Sequence, residues 1–335
     1  MISVAASEQA PPQVLGDAAG RSALRASRRR RRRPSRSRVL TSRRDRFLLV
    51  LAVVPAVAWL GFAQGYPLFY SLWLSFQNWS LSFSPTSQGF AGLANFRAVL
   101  NDPVFHHSVA MTLLVMASVP VEMAIGLGLA YYSLGESRWL RFTRTIMLLP
   151  MVIAPIAVGA MWRLLLTPNS GLIDSMLHGF GLPQLNWLGE PNLAKISVLA
   201  IDIWEWVPFS IIIYTAALSH IDQDLLGAAA VDGASRSQTL RHVIWPLVAP
   251  SSVLIAIFRL VDALLVIDVV YSLTEGGPGF STYTVTLWVY DQGLHYFNLG
   301  EAAAASWLLL VVALLIALTL LRLRSRMQRT RQANL

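Results

Sequence analysis

Six long apolar runs constrain this chain more than any other feature of its sequence. They are 47–76, 109–132, 146–166, 196–218, 247–273 and 302–321. Each has the roughly 20 residues that a helix needs to cross a bilayer. The chain is 55% hydrophobic and 13% charged, whereas soluble domains carry about 25% charged residues. We therefore predict an all-α, polytopic membrane protein with six transmembrane helices.

Basic residues divide the segments between these runs into two classes. Thirteen arginines lie in residues 1–46, and more lie after the second, fourth and sixth runs, whereas the other loops hold only Arg97 and Lys195. Because basic loops stay on the cytoplasmic side, we expect both termini and the 219–246 loop to be cytoplasmic.

The same pattern predicts three regions along the chain. Residues 1–46 form a disordered Arg-rich cytoplasmic tail, 47–322 a transmembrane domain, and 323–335 a second cytoplasmic tail. A basic arm can bind nucleic acid or anionic lipid. Because a span follows the arm at once, we expect it to contact membrane lipid, and we expect no nucleic-acid partner.

The loop at 220–246 is long for a connection between two spans. A helix-forming run, Leu225–Val231, meets Asp232 and Gly233, and a second helical run ends at Pro246. A glycine can adopt a positive φ and turn the chain. The pattern predicts two short helices hinged at Gly233. Spacing alone leaves two readings open: a helix inserted in a partner's groove, or an amphipathic helix on the membrane surface.

Ionisable side chains within the predicted spans form a further candidate site. Such groups are costly in a bilayer and indicate function by default. Arg259 and Asp262 are three residues apart, so they share a helix face and can pair. Carboxylates accept hydroxyl groups, and aromatic rings cover apolar sugar faces. The candidates for a cargo path are Glu122, Asp202, Trp204, Glu205, Arg259, Asp262, Asp268 and Tyr271. The alternative is structural pairing, for example of Arg259 with Asp262 or Glu122.

The sequence lacks the residues that ATP binding, metal binding and nucleophilic catalysis require. Lys195 is the only lysine and belongs to no G-x-x-x-x-G-K-[ST] loop, so we expect no P-loop contact with ATP phosphates. There is no cysteine, and His106–His107 is an isolated pair, so we expect no metal site. No Ser/His/Asp arrangement is detectable. We therefore predict no catalytic residues, no enzyme activity and no cofactor bound by this chain.

Short motifs along most of the chain carry a family resemblance. They are PLFYSLWLSF at 67–76, GLANF at 92–96, LLP at 148–150, WR at 162–163, WEWVPF at 204–209, FRLVD at 258–262 and DVVYSLTEGGP at 268–278. In this order, over about 47–322, the chain resembles the carbohydrate-type permeases of binding-protein-dependent ABC importers. The loop at 220–246 resembles their cytoplasmic coupling loop, the EAA loop.

The resemblance implies residues that couple to an ATPase. They are Asp224, Gly227, Ala228, Ala229, Asp232, Gly233, Ala234 and Pro246. One position departs from the family, because Gly227 stands where a glutamate is usual. This replacement costs helix propensity and removes an acid that could face the ATPase. Two alternatives follow: either Asp224 or Asp232 compensates for the missing acid, or this half couples more weakly than its partner permease.

The resemblance also implies a setting and partners. The expected location is the bacterial inner membrane, and the expected mechanism is alternating access. The partners would be a second homologous permease, two copies of an ATPase that uses ATP and magnesium, an extracytoplasmic binding protein and a sugar-like solute.

Two rival hypotheses remain at the sequence level. A stand-alone secondary transporter would use the intramembrane carboxylates as proton or sodium sites and show two related halves. We find no convincing repeat between 47–166 and 196–322. A non-transporting scaffold would recruit a cytoplasmic protein through the loop, but it would not need charged residues in three spans.

Overall fold

A computed structural model describes residues 43–133 and 145–333 of the chain. The predicted Arg-rich tail lies almost wholly before this range, and the basic loop after the second span falls largely at 134–144. Both predictions therefore lie outside the described residues.

The described chain is helical. Its helices are α1 (Arg43–Ser75), α2 (Ala94–Asn101), α3 (Pro103–Tyr132), α4 (Pro155–Leu165), α5 (Leu172–Gly179), α6 (Pro191–Leu218), α7 (Gln223–Val231), α8 (Arg236–Leu264), α9 (Asp268–Thr274), α10 (Val285–Tyr290) and α11 (Leu299–Ala333). Within the described ranges there is no strand, and one isolated bridge joins Gln77 to Phe90. The all-α prediction is confirmed.

Four helices are long and apolar enough to cross a membrane: α3, α6, α8 and α11 up to Met327. They cover the second, fourth, fifth and sixth predicted spans. The first predicted span coincides with α1, which has 33 residues. A polytopic membrane protein is therefore the architecture that these lengths support.

Two predicted spans are not continuous helices in the structure. The run at 146–166 contains a short 3₁₀ turn, Pro150–Val152, and then α4, which has only 11 residues. Pro150 and Pro155 each begin an element, because proline lacks the N–H that a helix interior needs. The run at 247–273 breaks after Leu264 and resumes as α9 at Asp268.

The chain divides into two compact units between Tyr66 and Pro67. In the first unit, the described part of α1 carries large apolar side chains that are about two-thirds exposed, such as Trp59 at 68% and Phe62 at 66%. Exposed apolar surface of this kind suits contact with lipid or another protein.

The second unit holds the core, and two glycines let its helices approach closely. A Cβ atom at Gly126 of α3 would collide with Ser210 of α6, and one at Gly159 of α4 would collide with Ser272 of α9. Small residues at such crossings let helices pack in a membrane, where no hydrophobic force drives association. Buried apolar side chains, among them Val115 of α3 and Val158 of α4, form the larger hydrophobic cluster of this unit.

Hydrogen bonds join the segment after α9 to the start of α3. The Trp288 indole donates to Asp102 Oδ2 at 2.9 Å, and Val285 N donates to Thr112 Oγ1 at 3.0 Å. The Tyr283 hydroxyl donates to Asp291. Burial first, and then the neighbouring Asp291, raise the pKa of Tyr283 well above its usual value. This hydroxyl therefore remains a donor at physiological pH.

Candidate functional site

A buried ionic cluster joins three of the long helices. Arg259 of α8 donates from Nε to Glu122 Oε2 of α3 at 2.7 Å, and from Nη2 to Glu122 Oε1 at 2.8 Å. Nη2 also donates to Asp202 Oδ2 of α6 at 2.8 Å. Nη1 donates to Asp262, one turn further along α8. These four side chains are named the buried ionic cluster.

Burial makes this cluster energetically important. The side chains of Arg259, Glu122 and Asp202 are 1%, 0% and 2% exposed, whereas that of Asp262 is 45% exposed. Buried charges are tolerated only when they are paired and hydrogen-bonded. The Trp206 ring adds to the pairing, because its centroid lies 4.5 Å from Arg259 Cζ. The cluster therefore holds α3, α6 and α8 in one arrangement.

The structure brings together four of the eight path candidates. The predicted Arg259–Asp262 pair is present, and so is the alternative pairing of Arg259 with Glu122. Sequence reasoning missed Asp202 as the third partner and Trp206 as the stacking ring. Trp206 lies four residues after Asp202, so helical spacing alone could have indicated their common face.

The other four candidates lie outside the hydrogen-bonded cluster. Trp204 contacts Trp162 edge to face, with ring centroids 5.5 Å apart. Tyr271 packs on Tyr290 in the same manner. Asp268 is exposed in the first turn of α9, and Glu205 is buried on α6.

Two buried carboxylate oxygens have no hydrogen-bond donor among the described residues: Asp202 Oδ1 and Glu205 Oε2. Carboxylate oxygens without donors can accept hydrogen bonds from hydroxyl groups. In the described part of the chain, no group of three or more His, Cys, Asp or Glu side chains is arranged to hold a metal ion.

The loop at 220–246 forms a second candidate region, which we name the coupling segment. Its first helix, α7, is capped by Asp222, whose side chain accepts from Asp224 N at 3.0 Å. The helix ends in a Schellman motif: Gly233 N bonds to Ala230 O at 3.1 Å, and Ala234 N to Ala229 O at 3.0 Å. Gly233 has φ +73°, so the hinge at this glycine is confirmed.

The second half of the coupling segment differs from the prediction. Ser235 and Gln238 form a reciprocal capping box that starts α8. The helix does not end at Pro246 but continues through it to Leu264. The expectation of a second short helix is therefore wrong.

A π-helical turn, Thr239–Ile244, precedes the proline, and Trp245 N bonds to Leu240 O. This wider turn admits Pro246, which has no N–H to donate.

Most of α7 is exposed. Val231 is 88% and Leu225 44% exposed, while Leu226 packs against a cluster that includes buried Tyr214 and Ile244. The helix therefore has one face on the body of the protein and one apolar face available for a partner. At Gly227, a Cβ atom would meet nothing within 4 Å, so the missing side chain is not a packing requirement.

The fold and the two regions define a class, a helical membrane protein with a buried ionic cluster and an exposed helix–turn–helix loop. Residues 122–330 match the family model for the binding-protein-dependent transport system inner membrane component. The chain belongs to this family. It is therefore a multi-pass transport permease and not an enzyme.

Known relatives agree with this assignment. The chain is 33% identical over 290 residues, 85% of its length, to a probable ABC transporter permease, y4oQ, of Sinorhizobium fredii, 94% of which is covered. It is 31% identical over 260 residues, 77% of its length, to the trehalose/maltose transport system permease MalF of Thermococcus litoralis, 86% of which is covered. Both alignments reach across most of each protein.

A solved structure shares the fold. A chain of a bacterial alginate ABC transporter, crystallised with a periplasmic protein bound to an alginate pentasaccharide, superposes with a TM-score of 0.72. The match covers 84% of this chain and 96% of the other, at 22% identity.

Proposed function

We propose that this chain is one permease half of an ATP-driven importer that carries a sugar-like solute into the cytoplasm by alternating access. One observation carries the proposal: the exposed α7 turns at Gly233 into α8, and α8 runs without a break to Arg259. A partner that grips α7 and moves would displace α8, and with it the side chains of the predicted path.

The energy would come from a separate protein. The chain has no P-loop motif, so ATP and magnesium would be bound by an ATPase, present in two copies. The exposed apolar face of α7, with Leu225 and Val231, suits insertion into a groove of that ATPase. Asp224, Gly227, Ala228, Ala229, Asp232, Gly233, Ala234 and Pro246 would form or support this contact.

Two observations support a sugar-like cargo: the side chains of the predicted path and the name of a related permease. No donor among the described residues reaches Asp202 Oδ1 or Glu205 Oε2, so both oxygens could accept from hydroxyl groups, and Trp204 offers an aromatic face. A relative of the chain is named as a trehalose/maltose permease. Cargo would pass between this chain and a second, homologous permease, after delivery by an extracytoplasmic binding protein.

We expect both termini and α7 on the cytoplasmic side, because the basic residues cluster in those segments. The chain has no native cysteine, which allows a direct test. Single cysteines are placed at Ser237, beside α7, and at Ser84, after α1. In intact cells a membrane-impermeant maleimide should label the cysteine at position 84 and not that at 237. Labelling of the cysteine at position 237 alone would show that the chain has the opposite orientation in the membrane.

Co-purification tests the function itself. The tagged chain is isolated from its native membranes in mild detergent, and accompanying proteins are identified by mass spectrometry. We expect an ATPase, a second permease and a binding protein, and ATP-dependent uptake when the complex is reconstituted. A chain that emerges alone and still moves solute in liposomes would instead be a secondary transporter that uses its intramembrane carboxylates.

A further inference from the structure

A short break at residues 265–267 separates α8 from α9. No proline or glycine lies between Pro250 and Gly276, so the break contains none of the residues that commonly end a helix. The backbone at Ile267 nevertheless leaves the helical region, with φ −139° and ψ −47°. Contacts with other parts of the chain must therefore hold the two helices apart. We name residues 265–267 the pivot segment.

Two threonines that follow α9 supply such contacts. The Thr284 hydroxyl donates to Val266 O at 3.0 Å, and the Thr286 hydroxyl donates to Leu264 O at 3.4 Å. In a continuous α-helix these carbonyls would accept from the amides of residues 270 and 268 instead. Backbone groups that a break leaves unpaired in a membrane protein need replacement partners of this kind. The two hydroxyl groups thus stabilise the broken form of the chain.

Thr284 belongs to a part of the fold that is bonded to α3. Its side chain is fully buried and accepts from Leu287 N at 3.4 Å, so it also caps the start of α10. The next residue, Val285, donates its N–H to Thr112 Oγ1 of α3 at 3.0 Å. The pivot segment is therefore bonded to α10, and α10 is bonded to α3.

The position of the buried ionic cluster along α8 fits a rotation about the pivot segment. Arg236, at the coupling end, lies roughly 40 Å before the pivot segment at the rise of an α-helix, whereas Arg259 lies only about 9 Å before it. If α8 turns on the pivot segment, Arg259 moves about a fifth as far as Arg236. Separation of buried charges is costly, so a place close to the centre of rotation suits the cluster.

We propose that the pivot segment is the point on which α8 turns during transport. Thr284 and Thr286 are positioning residues that hold this point against α10 and α3, while the coupling segment moves the other end of α8. The pivot rests on the proposed function, in which an ATPase grips α7, and adds where in the chain the motion is absorbed.

Distances between paired spin labels test the pivot. The chain has no cysteine, so labels can be attached to introduced cysteines at two pairs of exposed positions. The coupling pair is Ser237 on α8 with Tyr132 on α3, and the pivot pair is Leu265 with His107 on α3. Pulsed EPR is recorded on the full-length chain in nanodiscs, with its co-purifying permease and ATPase. The complex is measured without nucleotide and with a non-hydrolysable ATP analogue. A complex that contains the cysteine-free chain gives the background from cysteines of the partners.

The two pairs should respond differently to the nucleotide. The coupling-pair distance should change when the analogue binds, and the pivot-pair distance should change by no more than about a fifth as much. Equal changes in the two pairs would show that α8 moves as a whole and would overturn the pivot. A larger change in the pivot pair, or no change in either pair, would also overturn it.

Thr284→Val tests the positioning role, because valine keeps the shape of the side chain and leaves buried Val266 O without its donor. The pivot-pair distances should spread, and their change with the analogue should rise from about a fifth toward that of the coupling pair. Thr284→Ser keeps a hydroxyl and should restore the wild-type distances. A Thr284→Val complex with wild-type distances in both nucleotide states would remove the positioning role.

Two further variants complete the test. Thr286→Val removes the longer of the two bonds and should have a smaller effect in the same direction, and it carries the test if Thr284→Val does not assemble. Thr167→Val is the matched control, because its hydroxyl donates to Arg163 O at 2.8 Å, four residues away in the chain. The control should leave both label pairs unchanged. An equal spread of the pivot-pair distances in this control would mean that the effect is not specific to the pivot segment.

The pivot and the proposed function fail in distinguishable ways. If no ATPase co-purifies with the wild-type chain, the proposed function is wrong, and the pivot falls with it. If the ATPase is present and both label pairs change equally, the function stands and the pivot is wrong.

Discussion

The buried ionic cluster and the coupling segment are stabilised in opposite ways. The cluster is fixed by contacts distant in sequence: Arg259 bonds to Glu122, 137 residues away, and to Asp202, 57 residues away. The coupling segment is fixed by bonds between near neighbours, such as Ala234 N to Ala229 O. A region that folds by local bonds can remain exposed and bind a partner. A region that depends on distant partners instead determines how the helices are arranged.

One helix connects the two regions. Arg236 and Arg259, both on α8, are 23 residues apart, which is roughly 35 Å at the rise of an α-helix. A displacement at the coupling segment can thus reach the cluster through a single element, whose π-helical turn lies near the coupling end.

The largest effect is expected from Arg259→Met. This change leaves the buried Glu122 and Asp202 without their cation, which should destabilise the fold by about 3–5 kcal/mol. Thermal unfolding in detergent, followed by gel filtration, measures it. The control is Arg163→Met, which breaks an exposed pair with Glu275 and should cost about 0–1 kcal/mol. Equal losses in the two variants would show that the cluster has no special role.

Gly233→Val tests the coupling segment without disturbing the cluster. A β-branched residue at φ +73° is strained by about 1–3 kcal/mol, so the turn between α7 and α8 should rearrange. We expect ATP-driven uptake to fall roughly tenfold or more, with the unfolding temperature little changed. Gly128→Ala is the control, because a Cβ there also meets nothing within 4 Å and Gly128 lies on α3, outside the coupling segment. Uptake at the wild-type rate in Gly233→Val would contradict the coupling role.

Ser235→Ala should have a smaller, local effect. It removes the side-chain oxygen that accepts from Gln238 N at 3.3 Å, and the loss of such a cap costs about 1 kcal/mol. Hydrogen exchange at residues 236–239 should become about fivefold faster, with no change in exchange around Arg259. Ser235→Asp keeps a capping oxygen and should restore slow exchange. Faster exchange at both regions would mean that they are less independent than their contacts suggest.

Gly227→Glu should have the smallest effect. The site has room for a side chain, and a new exposed carboxylate is worth about 0–1 kcal/mol in a surface pair. Retention of the ATPase in a pull-down titration should improve by no more than about fivefold, and Gly227→Gln should improve it less. Weaker retention of the ATPase by the Gly227→Glu variant would mean that position 227 faces an acidic surface of the ATPase.

The sequence predicted what depends on neighbouring residues. Apolar runs located the long helices, the three-residue spacing paired Arg259 with Asp262, and Gly233 located the hinge. It could not predict that Asp202 completes the cluster, because pairing between helices depends on their packing. The continuation of α8 through Pro246 was also missed, since a π-helical turn removes the clash that proline causes in a regular helix.

The order of synthesis gives the buried ionic cluster a further consequence. The ribosome completes α3 and α6 before it reaches Arg259, so Glu122 and Asp202 enter the bilayer without the guanidinium that later bonds to both. Carboxylates alone in a membrane are costly, so α3 and α6 without α8 would bear a cost that Arg259 offsets only once α8 has packed against both. A chain that stops before residue 259 would keep this cost uncompensated, so the last of the three helices to be made determines whether the first two are stable.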